Sequence, residues 1–149
     1  MRMIELANAL RVEVERASGH LRTMAEADVT GVRGAGKWLK KEILGHLIDS
    51  AANNHHRFVR AQLAGPFTGP KYDQQAWVSI HAYRQRSWLE LVELWVALNR
   101  HLAVVIESVP DDKLNTPCII GDDEAVSLEW LMEDYLRHLE HHLQQIEAP

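Results

Sequence analysis

The stretch DYLRHLEHHLQQI, Asp134 to Ile146, decides how this chain is read. Successive residues of a helix advance about 100° around its axis, so each position on the wheel can be computed. With His138 at zero, Leu128, Met132, Tyr135, Leu139, Leu143 and Ile146 fall between about 60° and 140°. That is one apolar stripe, and it predicts an amphipathic helix ending near Ile146. Ser127 supplies a hydroxyl N-cap for it, and Glu129 and Glu133 place negative charge near the same end. His142 falls at about 40°, beside His138 and leaning towards the stripe, whereas His141 falls at about −60°, on the wet face. Two imidazoles one turn apart can converge on a single metal ion, and His138 and His142 are that pair. The same spacing also serves plain surface or core filling.

Working outward, the helical period continues through most of the chain. Met3, Ala7, Leu10, Val14, Ala17, Leu21 and Met24 step by three and four along a first helix of about six turns. Gly31, Gly34 and Gly36 interrupt the pattern. A second helix is predicted from about Trp38 to Gln62, with Leu44, Leu47, Ala51, Asn54 and Phe58 on one side. AGPFTGPK, residues 64–71, reads as a turn, and KYDQQAWV as a short connection. A third helix is predicted from about Tyr83 to Ser108, closed by Pro110, with Trp88, Leu91, Trp95, Leu98, Leu102 and Val105 as its stripe. Residues 114–126 read as a loop with a short hairpin around Gly121. The prediction is an all-α fold, a four-helix bundle with long connections, in one domain over residues 1–149. Connections of this length often carry function or cover a site.

Composition excludes several classes. The chain has 149 residues, 46% hydrophobic and 25% charged, which suits a globular domain with its own core. No apolar run approaches the roughly 18 residues a membrane span needs. The start alternates charged and apolar residues and lacks the continuous core of a signal peptide. A net charge of −5 argues against a nucleic-acid partner, which demands a concentrated basic face. The single cysteine, Cys118, can form neither an intrachain disulfide nor a thiolate metal cluster, so a reducing, cytoplasmic setting is expected. Nine histidines are the unusual feature.

Two histidines leave a divalent ion short of ligands, and a third should come from another helix. His46 is the best placed: it borders the apolar face of the second helix, flanked by Leu39, Ser50 and Asn53. His55 lies about 180° from it and cannot share its site. His20, His81 and His101 have no partner at ligand spacing and are read as structural or exposed. Asn53, Trp95 and Asn99 are candidate walls of a substrate pocket. Asn99 sits within an apolar stripe, so its amide either lines the cleft or bridges helices. The five tryptophans are read mainly as core.

Three segments together resemble the DinB-like superfamily, in its branch of small metal-binding bundles: GKWLKKEILGHLIDSAANNHHRF, then KYDQQAWV leading into SWLELVELWVALNRHL, then DYLRHLEHHLQQI. The combination of GHLxD on one helix with HLxHH on the last is the specific part, and the resemblance runs from Gly36 onward. It implies a four-helix bundle holding a metal by three histidines, one from the second helix and two from the last. Those positions match His46, His138 and His142. Relatives of this kind include thiol S-transferases and a thiol-dependent isomerase using low-molecular-weight bacterial thiols, and many form homodimers. Trp77, Trp88, Trp95 and Trp130 also exceed what one small bundle must bury, which again points to a homodimer.

The resemblance therefore implies an enzyme with an open metal site that activates a thiol or water nucleophile for a small-molecule substrate. Three imidazoles plus water would suit Zn²⁺, Ni²⁺ or Fe²⁺. Asp49, one turn from His46, is the candidate catalytic residue, as a base or as the group orienting a ligand imidazole. Glu42 and Asp134, each four residues before a ligand, suggest the same role. A metal-dependent hydrolase and a non-catalytic metal- or ligand-binding bundle are the alternatives. Imidazole titrates near about 6.5, so metal affinity is expected to fall from about pH 7 towards 5.

Overall fold

Met3, Ala7, Leu10, Val14, Ala17 and Leu21 are all buried along one face of helix α1 (Arg2–Leu21) in the computed structural model, as their spacing predicts. The structure describes residues 2–149, and Met1, the first residue of the expected domain, lies outside the described residues. Three further long helices follow: α3 (Lys40–Leu63), α5 (Trp88–Glu107) and α6 (Leu128–Glu147). Both α1 and α3 pack against α5 and α6, which sets α1 diagonally across the bundle from α3, and α5 across from α6. Two of the three long connections must therefore cross the end of the bundle, a physical reason for their length.

Those connections hold more structure than periodicity alone reveals. Between α1 and α3 lies α2 (Glu26–Thr30), and between α3 and α5 lie strand β1 (Phe67–Gly69) and helix α4 (Gln74–His81). The KYDQQAWV stretch thus enters a helix, because the Asp73 carboxylate accepts from the Ala76 N–H at 3.0 Å and caps it. The third long helix starts at Trp88, not Tyr83. Ser87 is its N-cap, and residues 83–85 form a separate 3₁₀ turn. The second long helix starts at Lys40, not Trp38. Its capping box is closed by the Glu42 carboxylate, which accepts from the Leu39 N–H at 2.9 Å and also pairs with Arg84 at 3.0 Å. Glu42 thus serves the helix end, not a ligand imidazole.

The hairpin around Gly121 is present as β2 (Pro117–Ile120) and β3 (Val126–Ser127), with Gly121 at positive φ. β1 joins it in parallel, Phe67 opposite Cys118 and Gly69 opposite Ile120, so the supposed turn at 64–71 contributes an edge strand. Parallel pairing needs a long crossover, which α4 and α5 provide. Ser127 caps α6 as expected, its hydroxyl accepting from the Trp130 N–H at 3.0 Å.

Trp88 and Trp95 are 1% and 0% exposed in the centre of this chain's own core. Two of the four tryptophans cited for a homodimer therefore need no partner. Trp130 is 45% exposed, and Trp77 is half-buried.

Candidate metal centre

His46 projects from the second turn of α3 into the seam with α6, where His138 and His142 stand one turn apart. One nitrogen from each of the three rings lies within 4.8 Å of the other two. The ring centroids are 4.5 Å apart for His138 and His142, 4.8 Å for His46 and His142, and 5.1 Å for His46 and His138. The Nε2 atoms of His46 and His138 are 3.2 Å apart. Nitrogens bound at about 2.05 Å to one tetrahedral ion are separated by about 3.3 Å, so this spacing fits a shared divalent cation. His141 is exposed and outside the group, as its phase on the wheel requires.

Protonation favours the same use. Burial pushes the His46 imidazole down to about 3 and His138 to about 4, with the neighbouring histidines adding to the shift. His142 is also lowered, chiefly by burial. Neutral imidazoles are the form that ligates. Protons are thereby disfavoured on these two rings relative to free imidazole.

Two residues that the sequence reading passed over shape the centre. Gln145 Oε1 lies 2.8 Å from His142 Nδ1 and is placed to accept its proton, leaving Nε2 for a ligand role. Helical spacing from His142 is the signal that could have found it. The Trp38 indole lies against the His46 ring, centroids 4.9 Å apart, and donates to Gln75 at 3.1 Å. Trp38 opens the predicted second helix but is not part of its apolar stripe, so nothing in the periodicity points to it. His46 Nδ1 is buried without a hydrogen-bond partner among the described residues.

Asp49 is 1% exposed, and its partners are not the ligand imidazoles. Its Oδ1 accepts from the Tyr83 hydroxyl at 2.6 Å and lies 2.9 Å from His81 Nδ1. Burial raises its carboxyl above the usual range, while the bonds to Tyr83 and His81 act against that rise. It does not orient His46, because His46 Nδ1 has no partner. His81, read as structural or exposed, is exposed and forms the outer arm of this cluster. Gly45 completes the arrangement, since a Cβ there would fall inside the Tyr83 ring. The GHLxD pattern thus combines one candidate ligand, His46, with a glycine and an aspartate that seat Tyr83 against α3.

The expected pocket walls are placed elsewhere. Trp95 and Asn99 are both 0% exposed. Asn99 bridges helices: its Nδ2 donates to the Trp95 carbonyl at 2.9 Å and its Oδ1 accepts from the Tyr135 hydroxyl. Asn53 donates to the Asp49 carbonyl at 2.9 Å and lines a shallow cavity with Phe67 and Pro70. The cavity that reaches the centre at His138 has a volume of about 350 Å³ and runs between α3 and α6, with His138, Asp134 and Tyr135 on one wall and Ser50, Asn54 and Arg57 on the other. Residues 46, 50, 54 and 57 recur at helical spacing, so it continues the His46 face along α3.

A bundle whose diagonal long helices are joined by structured crossings, with three neutral histidines from its second and last long helices beside a groove, defines a class of metal-competent four-helix proteins. The chain belongs to the DinB superfamily, whose model matches residues 9–146. The solved structure of YfiT from Bacillus subtilis, described as a probable metal-dependent hydrolase with an unusual four-helix bundle topology, is similar to it in fold. The TM-score is 0.79 at 19% identity, covering 97% of this chain and 82% of that one. No curated protein sequence matches the chain. No helix among the described residues is long and apolar enough to cross a membrane.

Proposed function

We propose that this protein is a metal-dependent enzyme in which His46, His138 and His142 hold one divalent ion, Zn²⁺, Ni²⁺ or Fe²⁺, beside the groove between α3 and α6. The observation that carries the reading is the juxtaposition itself: three neutral imidazoles, one nitrogen of each within 4.8 Å of the other two, with one ring lining a cavity of about 350 Å³. A structural site would be closed by four protein ligands, whereas three leave a position free. Bound there, a divalent ion supplies a Lewis acid that makes a thiol or water nucleophilic near neutrality. The chain's own residues hold the ion, fix the His142 tautomer through Gln145, and line the groove that receives the substrate. Asp49 serves this centre as a positioning residue, by seating Tyr83 against the helix that carries His46.

The leading reaction is transfer of a low-molecular-weight thiol to a small electrophile, supported by the likeness of the GHLxD and HLxHH segments to thiol S-transferases. Hydrolysis is the second reading, and the description of YfiT favours it. The setting proposed is cytoplasmic, supported by one buried thiol, Cys118. The assembly proposed is a homodimer. Elemental analysis of protein purified without an affinity tag should find one divalent metal per chain, and turnover should require added thiol. A metal-free protein that takes up no divalent ion when offered it would refute the centre, and turnover without thiol would select hydrolysis.

A further inference from the structure

Among the described residues, Arg57 is the one charged groove residue without a partner of opposite charge. It sits on α3 on the stripe that begins at His46, eleven residues on, or about 16 Å along the helix axis. The guanidinium is half-buried, donates to the Pro70 carbonyl at 3.2 Å, and lies over the Tyr72 ring at 5.8 Å from its centroid. No Asp or Glu pairs with it among the described residues, and burial lowers its pKa. The other basic group of the groove is already engaged: the Lys71 ammonium pairs with Asp123 at 2.9 Å. Asp134, the carboxylate on the opposite wall, is half-exposed and lies 3.5 Å from Arg137. A partly desolvated guanidinium with spare donors facing a cavity is a ready partner for an anion, and its planar fork matches a carboxylate.

We infer that the end of the groove remote from the histidines is a carboxylate subsite, and that Arg57 selects substrates or thiols bearing a carboxylate several bonds away from the group that meets the metal centre. This inference rests on the metal-enzyme reading above. One uncompensated guanidinium neutralises one negative charge, so the subsite suits a monoanion better than a phosphate dianion. Between its ends the groove offers Ser50 and Asn54, uncharged groups that suit a polar chain.

The test titrates zinc-loaded protein with ω-mercaptocarboxylates of increasing length, from mercaptopropionate to mercaptoundecanoate, and with the matching mercaptoalcohols, and reads dissociation constants by calorimetry. At the length that spans the groove, the acid should bind about tenfold tighter than the alcohol, as a charge-assisted hydrogen bond warrants. Arg57→Gln should erase that preference and leave the alcohols unchanged, while Arg57→Lys keeps part of it. Equal binding of acids and alcohols at every length overturns the inference. So does a preference that survives Arg57→Gln, which would put the anion on the metal. If neither series binds, the open metal centre fails, and metal-free protein then reports on Arg57 separately. There, hexanoate should bind more tightly than hexanol in the parent chain only, and no such preference overturns the subsite as well.

Discussion

Acidification of the metal-free protein tests the buried histidines directly. His46 titrates near about 3 in the folded chain, against about 6.5 for free imidazole. Between those values the unfolded chain takes up a proton that the folded chain refuses, so stability rises with pH across this window. The contribution is intact above about pH 6.5 and is lost progressively as pH falls towards 3. At pH 5 the unfolded imidazole is almost fully protonated and the folded one almost fully neutral, so His46 alone removes about 2 kcal/mol relative to pH 7. His138, depressed to about 4 but only half-buried, adds less than that. The assay is urea unfolding in the presence of chelator at pH 7 and pH 5, for the parent chain and for His46→Gln. The parent should lose about 2 kcal/mol more than the variant over this interval. Equal losses would mean that His46 is as accessible to protons in the folded chain as in the unfolded one, and the burial argument would fall.

Other outcomes follow from the same geometry. His142→Ala should abolish stoichiometric metal by elemental analysis while His141→Ala retains it, and loss in both would mean that the helix phase is wrong. Gly45→Ala should destabilise the fold by about 1–3 kcal/mol, since the new methyl displaces Tyr83 and the gain in helix propensity is smaller. An unchanged urea midpoint would show that the ring can move freely. Gln145→Leu should weaken metal binding about tenfold or more by releasing the His142 tautomer, read as a competitive dissociation constant against a chelating dye. Light scattering at micromolar concentration should give a dimer mass, and a monomer mass would remove the homodimer.

The long helices were legible because their apolar residues repeat at 3.6, and α6 most clearly, where six core positions and two histidines share one arc. The meeting of His46, His138 and His142 was expected from the same arithmetic joined to the GHLxD and HLxHH likeness, and the structure brings them together. What escaped the periodicity was local or long-range. Ser87 and Asp73 are caps inside segments that read as continuous helix and as loop. Phe67 to Gly69 is a strand only because Cys118 to Ile120, far away in sequence, lies beside it. Asp49 lay one turn from a ligand and looked catalytic. Its bond to Tyr83 depends on a turn that brings residue 83 back over Gly45, which no single-helix pattern contains. Trp95 and Asn99 stood in the apolar stripe of their helix, which already favoured the core, and the structure places them there and not on a pocket wall.

The small sheet also bears on how the chain brings its ligands together. His46 and His138 are 92 residues apart in sequence. Pairing of Phe67 with Cys118 clamps the chain between them, which leaves about 41 residues to close, most of them already helical. Loop-closure entropy varies as the logarithm of length, so this shortening lowers the cost of meeting by about 0.7 kcal/mol for a flexible chain. The larger effect is on effective concentration. Once the strands pair, α3 is tied to one edge of the sheet through β1 and α6 to the other through β3, and the three imidazoles are held as neighbours before any cation arrives. Affinity at such a centre reflects the ligand chemistry itself, because the folded chain has already met the entropic cost of assembling its donors.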